Sequence, residues 1–343
     1  MRFPSFLLSL FMSAKTGKID VVIIDPSFNR FAAVKNFLLE HNLIIANVVL
    51  LSLMFAVFRE PMLTREARLS FFHMSTMLGF LTLGQAMVIL IGGIDVSNGA
   101  IVGLTSILAA WIALGYGIPL ILVVTLLVAI IIGSISGLLV TKANFPPLIA
   151  TLVTLGVATG LSLSVTGGAP IQLKNAAMTW FGSANLEGLP YYSLIWIALV
   201  AIVYLIVTRT KFGRHIYALG GSEKAAYVCG VNNNKIKLLV YLMSALLAWT
   251  GGVIYSCYTA SGVPIAGGLK YMMDSVSAAV IGGVLLSGGK GNLLDATLGV
   301  VFFALLYMAV IFLNISPVLE GAFRGVLLLV VVLYAFAKEK KKS

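Results

Sequence analysis

The groups able to do acid, base or ligand chemistry are few in this chain, so their placement is informative. Asp95, Asp274 and Asp295 lie at or near the ends of apolar stretches, and Glu320 and Arg324 sit four residues apart in another. A carboxylate within a membrane-length stretch marks a functional site by default, because leaving water is costly for it. The Glu320 and Arg324 spacing instead suits an intrahelical salt bridge. His41, His73 and His215 lack the spacing of a metal or catalytic pair. Cys229 and Cys257 support neither a disulfide framework nor a cysteine metal site. A proton-driven carrier would show a chain of Asp, Glu and His through its interior, and none is visible. No catalytic residue, metal site or cofactor bound by this chain is expected.

Two short segments echo one another. Residues 91–99 read Ile-Gly-Gly-Ile-Asp-Val-Ser-Asn-Gly, and residues 281–289 read Ile-Gly-Gly-Val-Leu-Leu-Ser-Gly-Gly. Glycine-interrupted apolar segments at matching places in two halves point to a transport pathway, because unwound backbone survives at membrane depth only where it lines a cavity or is buried in protein. Asp95, Ser97, Asn98 and Ser287 are therefore pathway candidates, with Asp274 beside the second copy. The alternative is that glycine lets helices pack closely. Thr151 and Thr154, three apart after Pro146-Pro147, share a helix face and join the list, although a helical Thr can equally bond the carbonyl four residues back. Ser287-Gly288-Gly289-Lys290-Gly291-Asn292 looks superficially like a phosphate loop but lacks Ser or Thr after the Lys, which argues against ATP hydrolysis by this chain.

Residues 209–237 form the longest polar insert of the second half. Ser222 is a suitable N-cap, Glu223 is favourable in a first turn, and Gly230 is a natural helix C-terminal residue. A short capped helix with small residues on one face is suited to docking in a partner's groove; the plainer reading is an ordinary loop helix.

The elements that must hold these groups follow from composition. Of 343 residues, 60% are hydrophobic and 10% charged, with a mean hydropathy of +1.04. A soluble domain carries about 25% charge, so this composition excludes a soluble enzyme, a coiled coil and a disordered chain. Crossing a hydrocarbon core of roughly 30 Å takes about 20 helical residues. Hydropathy places spans at about 43–58, 71–91, 99–115, 118–141, 147–166, 190–208, 238–260, 272–287, 294–313 and 318–337. The fold expected is all-α and polytopic, with about ten transmembrane helices including broken or re-entrant glycine-rich segments.

The net charge of +11, from 23 Lys and Arg against 12 Asp and Glu, has no basic stripe interleaved with aromatics, so nucleic acid is not an expected partner. With both termini cytoplasmic, most of those cations fall on the inner side, as the positive-inside rule requires. The expected layout is a cytoplasmic extension 1–38, a permease domain 39–338 and a basic tail 339–343. Arg2 followed by Phe3 to Met12 has the start of a signal peptide, but Lys15 and Lys18 follow directly, with no clear cleavage site.

Several of these segments resemble one family. Glu223-x-Ala225-Ala226 followed by Gly230 resembles the coupling motif of bacterial ABC importer permeases, and Thr210-Lys211-Phe212-Gly213-Arg214 through Gly220-Gly221 looks like its version in the ribose-type, branched-chain permease family. Gly92-Gly93-Ile94-Asp95-Val96-Ser97, the proline-led Pro146 to Leu152, and Ile281-Gly282-Gly283 through Gly291 are similar to three further motifs of that family, in order. Residues 1–38 extend beyond the family pattern, and Asn98 stands where a small or apolar residue is expected.

The resemblance implies the pathway-forming subunit of an ATP-driven importer in a bacterial inner membrane. Its partners would be two ATPase subunits that use the ATP, a second permease, identical or paralogous, and an extracytoplasmic substrate-binding protein. Gly213, Gly221, Glu223, Ala225, Ala226 and Gly230 would meet the ATPase. Sparse ionisable groups agree with a neutral, hydroxyl-rich cargo, ribose or a similar pentose first, with nucleosides and autoinducer-2 open because related permeases carry them. The contrasting class is an ion-coupled secondary carrier, which would need no ATPase.

Overall fold

A computed structural model of the chain describes residues 42–315 and a few single positions between 319 and 329. Its contacts divide the chain into two compact units, Met1–Asn42 and Leu43–Ser343. Residues 1–38, the tail 339–343, Glu320, Arg324 and most of the expected span 318–337 lie outside the described residues.

Helices dominate in chain order: α1 (Asn42–Val57), α2 (Arg59–Leu63), α3 (Arg65–Leu90), α4 (Asn98–Ile112), α5 (Ile118–Thr141), α6 (Pro147–Thr166), α7 (Ala176–Ser183), α8 (Tyr191–Arg209), α9 (Lys211–Gly221), α10 (Glu223–Val228), α11 (Asn233–Thr259), α12 (Gly268–Ile281) and α13 (Leu293–Phe312). Two ladders of two-residue strands complete them. β1 (Ile171–Gln172) pairs antiparallel with β4 (Ser261–Gly262), and β2 (Asn185–Leu186) with β3 (Leu189–Pro190). The β2–β3 hairpin turns through Glu187 and Gly188, both at positive φ, as a tight two-residue hairpin requires.

Among the described residues, α3, α5, α6, α8, α11 and α13 are long and apolar enough to cross a membrane. Their environments differ. The apolar windows of α5, α6 and α8 are mostly exposed, whereas that of α3 is 89% buried. Surrounded by protein rather than lipid, α3 can carry Thr76, Thr82 and Gln85 in its interior, all buried.

Three expected spans form helices shorter than a full crossing: in place of 43–58, 99–115 and 272–287 the chain has α1, of 16 residues, α4, of 15, and α12, of 14. At 1.5 Å per residue these reach about 24, 22 and 21 Å, against a core of roughly 30 Å; α4 and α12 suit the broken segments that the glycine motifs imply. The last two end for local reasons: Ala113 closes α4 before the Gly115 to Gly117 turn, and Gly283, at φ +85°, stops α12.

Between α11 and α12, residues 260–267 pack alongside α4 as the short strand β4 followed by a turn, a segment that hydropathy leaves between two spans. The small residues of α4 make this possible. A Cβ on Gly99 would strike the backbone of Gly268, and one on Gly103 the carbonyl of Pro264. The Ser106 hydroxyl accepts the N–H of Val263 (3.2 Å) and sits between the carbonyls of Gly103 (2.9 Å) and Val263 (3.1 Å). One side chain thus meets backbone groups of both α4 and the segment after β4.

The connections alternate between two ends of the bundle. Residues 91–97, 142–146, 210–232 and 282–292 meet at one end, where Gly289 N–H donates to the carbonyl of Leu90 at 2.9 Å. At the other, Arg68 Nε donates to the carbonyl of Glu187 and Leu173 N–H to that of Ala260.

Candidate functional site

The break after α3 folds back on itself to form a buried polar knot. The helix ends in a left-handed glycine cap: Gly92, at φ +77°, donates to the carbonyl of Ile89 (2.8 Å), and Gly93 to that of Val88 (2.9 Å). This pair of bonds satisfies two of the orphan carbonyls of a helix end. The chain then climbs beside the last turns of α3. Gln85, fully buried, meets the backbone of Asp95 with both ends of its amide, Nε2 2.8 Å from the carbonyl and Oε1 3.2 Å from the N–H, in the orientation that hydrogen bonding assigns.

Asp95 is 1% exposed and its carboxylate is well supplied with donors. Oδ1 accepts from the Ser97 N–H (2.9 Å) and hydroxyl (2.6 Å), and Oδ2 from the Ser244 hydroxyl (2.7 Å) on α11. From Ser97 the contacts continue to Ser136 on α5 (3.4 Å) and from Ser136 to Thr154 on α6 (2.8 Å). Thr151 bonds the carbonyl four residues back, at Pro147 (2.9 Å), and also lies 3.2 Å from the carbonyl of Ile94. Asn98 places its amide 3.1 Å from that of Gln85. The structure therefore gathers Asp95, Ser97, Asn98, Thr151 and Thr154 into one network that ties α3, α5, α6 and α11 together. Such buried polar networks fix one arrangement of helices, because every unpaired member would be costly.

Two candidates fall elsewhere. Asp274 lies on α12, facing α13, where the Tyr307 hydroxyl donates to Oδ2 at 3.3 Å. Ser287 is exposed in the loop after α12. The sequence echo itself is displaced. Gly283 donates to the carbonyl of Val280 and Val284 to that of Ala279, repeating the bonds of Gly92 and Gly93. Gly92 thus corresponds in geometry to Gly283, one residue out of the register in which the two motifs read alike, so Ser97 and Ser287 are not equivalent. Gln85, Ser136 and Ser244 are network members that the motifs missed. A lone amide within an apolar stretch was the available signal for Gln85; single serines in α5 and α11 gave none.

The polar insert makes two helices. Thr210 caps α9 and Ser222 caps α10, accepting from Ala225 N–H at 3.3 Å. At the far end Gly230, at φ +83°, donates to Tyr227 and Val231 to Ala226, a third cap of the same kind. Ala226 faces inward, 3% exposed, while Ala225 is exposed and Tyr227 and Val228 are 73% and 84% exposed. The outward surface of α10 is thus more apolar than its alanines suggested. Glu223 pairs with Lys237 at 2.6 Å, and its carbonyl accepts from Asn233 Nδ2 at 2.8 Å.

The end of α9 is wedged against both glycine loops. A Cβ on Gly220 would collide with the carbonyl of Leu90 and the amide of Gly289, and one on Gly288 would lie 2.9 Å from Gly92 N and 3.1 Å from Gly220 O. Tyr217 donates from its hydroxyl to the carbonyl of Gly291 (2.8 Å); burial, then neighbouring Tyr204, pushes its phenol above the ordinary range. Gly213 is buried with no room for a Cβ against Val207, whereas Gly221 faces open space.

Membrane-length helices interrupted at glycine breaks around a buried polar knot are the architecture of a polytopic membrane protein. The family described as branched-chain amino acid transport system / permease component matches residues 68–332, and this chain belongs to it. The chain is 32% identical over 302 residues to the ribose import permease protein RbsC of Haemophilus influenzae, covering 87% of this chain and 93% of that protein. It is 33% identical over 310 residues to the RbsC protein of Bacillus subtilis, covering 86% and 90%. The autoinducer 2 import system permease protein LsrC of Escherichia coli is 30% identical over 255 residues, covering 74% of each chain. No solved structure matches the chain.

Proposed function

We propose that this chain is the membrane-spanning permease subunit of an ATP-driven importer that carries ribose or a similar pentose. The observation that carries the reading is the placement of α10: its exposed Tyr227 and Val228 offer a docking face, and α9 links that face directly to both glycine loops. Separate ATPase subunits hydrolyse the ATP, a second copy or paralogue of the permease completes the pathway, and a binding protein outside the membrane delivers the sugar. ATP-driven closure moves α10, and the wedge at Gly220 passes the motion to the ends of α3 and α12. Packed helices convert such a push into rocking between two states.

In this reading the end bearing α9 and α10 is cytoplasmic, in agreement with Lys142, Arg209, Lys211, Arg214, Lys224, Lys235, Lys237 and Lys290 at that end. The membrane is a bacterial inner membrane, and the extension 1–38 and the basic tail 339–343 are assigned to its cytoplasmic side. Asp95, Ser97, Asn98, Thr151 and Thr154 hold the pathway helices in register, and Asp274 and Ser287 flank the second break. Glu223 to Gly230, with Gly221, forms the coupling surface, and Gly213, buried against Val207, contributes by seating α9 on the end of α8.

The test is reconstitution with the ATPase and binding protein into liposomes. ATP-dependent uptake of labelled ribose, insensitive to ionophores, is expected. Uptake that follows an ion gradient without ATP would place the chain among secondary carriers. The relationship to LsrC makes autoinducer 2 the second substrate to assay.

A further inference from the structure

A cavity of about 420 Å³ opens at the end of the bundle that carries α10. Its walls come from three places: Gly92 and Gly93 in the break after α3, Asn144 and Phe145 in the α5–α6 connection, and Glu223, Lys237 and Tyr241 beside the docking helix. Among these groups Tyr241 stands apart. Its side chain is 1% exposed, it borders the cavity, and its hydroxyl has no hydrogen-bond partner among the described residues. A Cβ on Gly93 would lie 2.9 Å from that hydroxyl, so the glycine is what leaves the phenol tip room. A buried hydroxyl without a partner is uncommon in folded proteins, and each case asks for a missing one.

The lining specifies the chemistry of that missing partner. Glu223 and Lys237 form an ion pair at 2.6 Å, so the wall carries both signs and no net charge. A charged ligand would have to break this pair; a neutral one need not. Donors at Tyr241, Lys237 and Asn144 stand beside acceptors at Glu223 and Asn144, which suits hydroxyls that both donate and accept.

We propose that this cavity is a binding site for a neutral polyhydroxyl ligand, the imported sugar on its way out, with the Tyr241 hydroxyl as its buried anchor and the Glu223–Lys237 pair as its rim. The proposal rests on the importer reading and adds to it a station at the cytoplasmic end. Because Glu223 belongs both to the rim and to the first turn of α10, movement of the docking helix opens or closes the site. Release of sugar and the position of the ATPase subunits are thereby linked through one side chain.

Labelling of a cysteine in the wall tests this in the assembled transporter, permease with ATPase and binding protein, in inside-out vesicles. Cys229 is exposed and Cys257 buried, so Phe145→Cys is made on a Cys229→Ser background and its reaction with a maleimide is timed. Millimolar ribose is expected to slow labelling several-fold, ribonate, its charged analogue, to leave it unchanged, and Tyr241→Phe to abolish the protection while the complex still assembles. Should Phe145→Cys fail to assemble, Asn144→Cys reads the same wall. Uptake of ribose without protection of the introduced thiol, or protection that survives Tyr241→Phe, overturns the site and leaves the importer reading intact. Protection without ATP-dependent uptake of any sugar keeps the site and overturns the importer. Absence of both overturns both.

Discussion

The amide of Gly289 donates to the carbonyl of Leu90 at 2.9 Å, so the last turn of α3 is tied by backbone alone to the loop that follows α12. Gly220 of α9 fits against the same two residues, with no side chain intervening. Backbone packed on backbone transmits displacement with little slack, because packed interiors deform poorly.

Gly220 and Gly221 give a paired test of that junction. Gly220→Ala would drive a methyl group into the Leu90 carbonyl, whereas Gly221→Ala meets nothing within 4 Å. Overpacking costs typically about 1–3 kcal/mol, so Gly220→Ala is expected to lower the thermal midpoint in detergent and reduce uptake at least about tenfold. Gly221→Ala should leave the midpoint unchanged. Equal effects from both would remove the junction as a mechanical element.

The Asp95 knot predicts strong coupling between α3's break and α11. Hydrogen bonds to charged groups are worth about 1.5–3 kcal/mol, and Ser244 supplies one at 2.7 Å. Asp95→Ala and Ser244→Ala should each destabilise the permease and impair uptake, and the double variant should cost clearly less than the sum. Chemical unfolding in detergent measures the three. Strict additivity would mean that the bond contributes nothing in solution. Thr151→Leu, which loses the contact to Ile94, should likewise impair uptake.

Ser106 supports the segment 260–267. Ser106→Ala leaves the Val263 N–H without that partner, at a cost of about 1–3 kcal/mol for a buried group. Gly103→Ala should be worse, since its Cβ would clash with Pro264. Limited proteolysis from the end opposite α10 is the readout: cleavage near residues 260–267 should accelerate in both variants, more in the second. Unchanged protection in both would show that the segment is held by other contacts.

Glu223 separates docking from local stability. Its pair with Lys237 involves a side chain 57% exposed, and exposed pairs contribute about 0–1 kcal/mol. Glu223→Lys should therefore insert and fold normally yet uncouple ATP hydrolysis from uptake. Combining it with Lys237→Glu restores an ion pair but not the docking surface, so uptake should stay low. Full recovery in the double reversal would falsify a docking role for Glu223 and leave only the pair.

The sequence carried the helical class, the membrane habitat and the caps, because each is a local property. Apolar runs announce themselves by length, and Ser222 and Gly230 sit where helix ends need a side-chain acceptor or a positive φ. It overstated α4 and α12, since hydropathy reads through a glycine that ends a helix without a change of polarity. It also read the two glycine motifs in equal register, whereas their bonds differ by one residue, a difference that composition cannot express.

What only the tertiary structure decided is which groups meet. Asp95, Ser97, Asn98, Thr151 and Thr154 were visible as polar residues in apolar surroundings, but Gln85, Ser136 and Ser244 join them because four helices converge on one point. The same holds for Gly220, whose importance comes from the carbonyl of Leu90, far back along the chain. Periodicity and capping are set within a few residues along the chain, so sequence alone determines them. Contact across the bundle depends on how distant helices cross, and that is settled only when the whole chain packs.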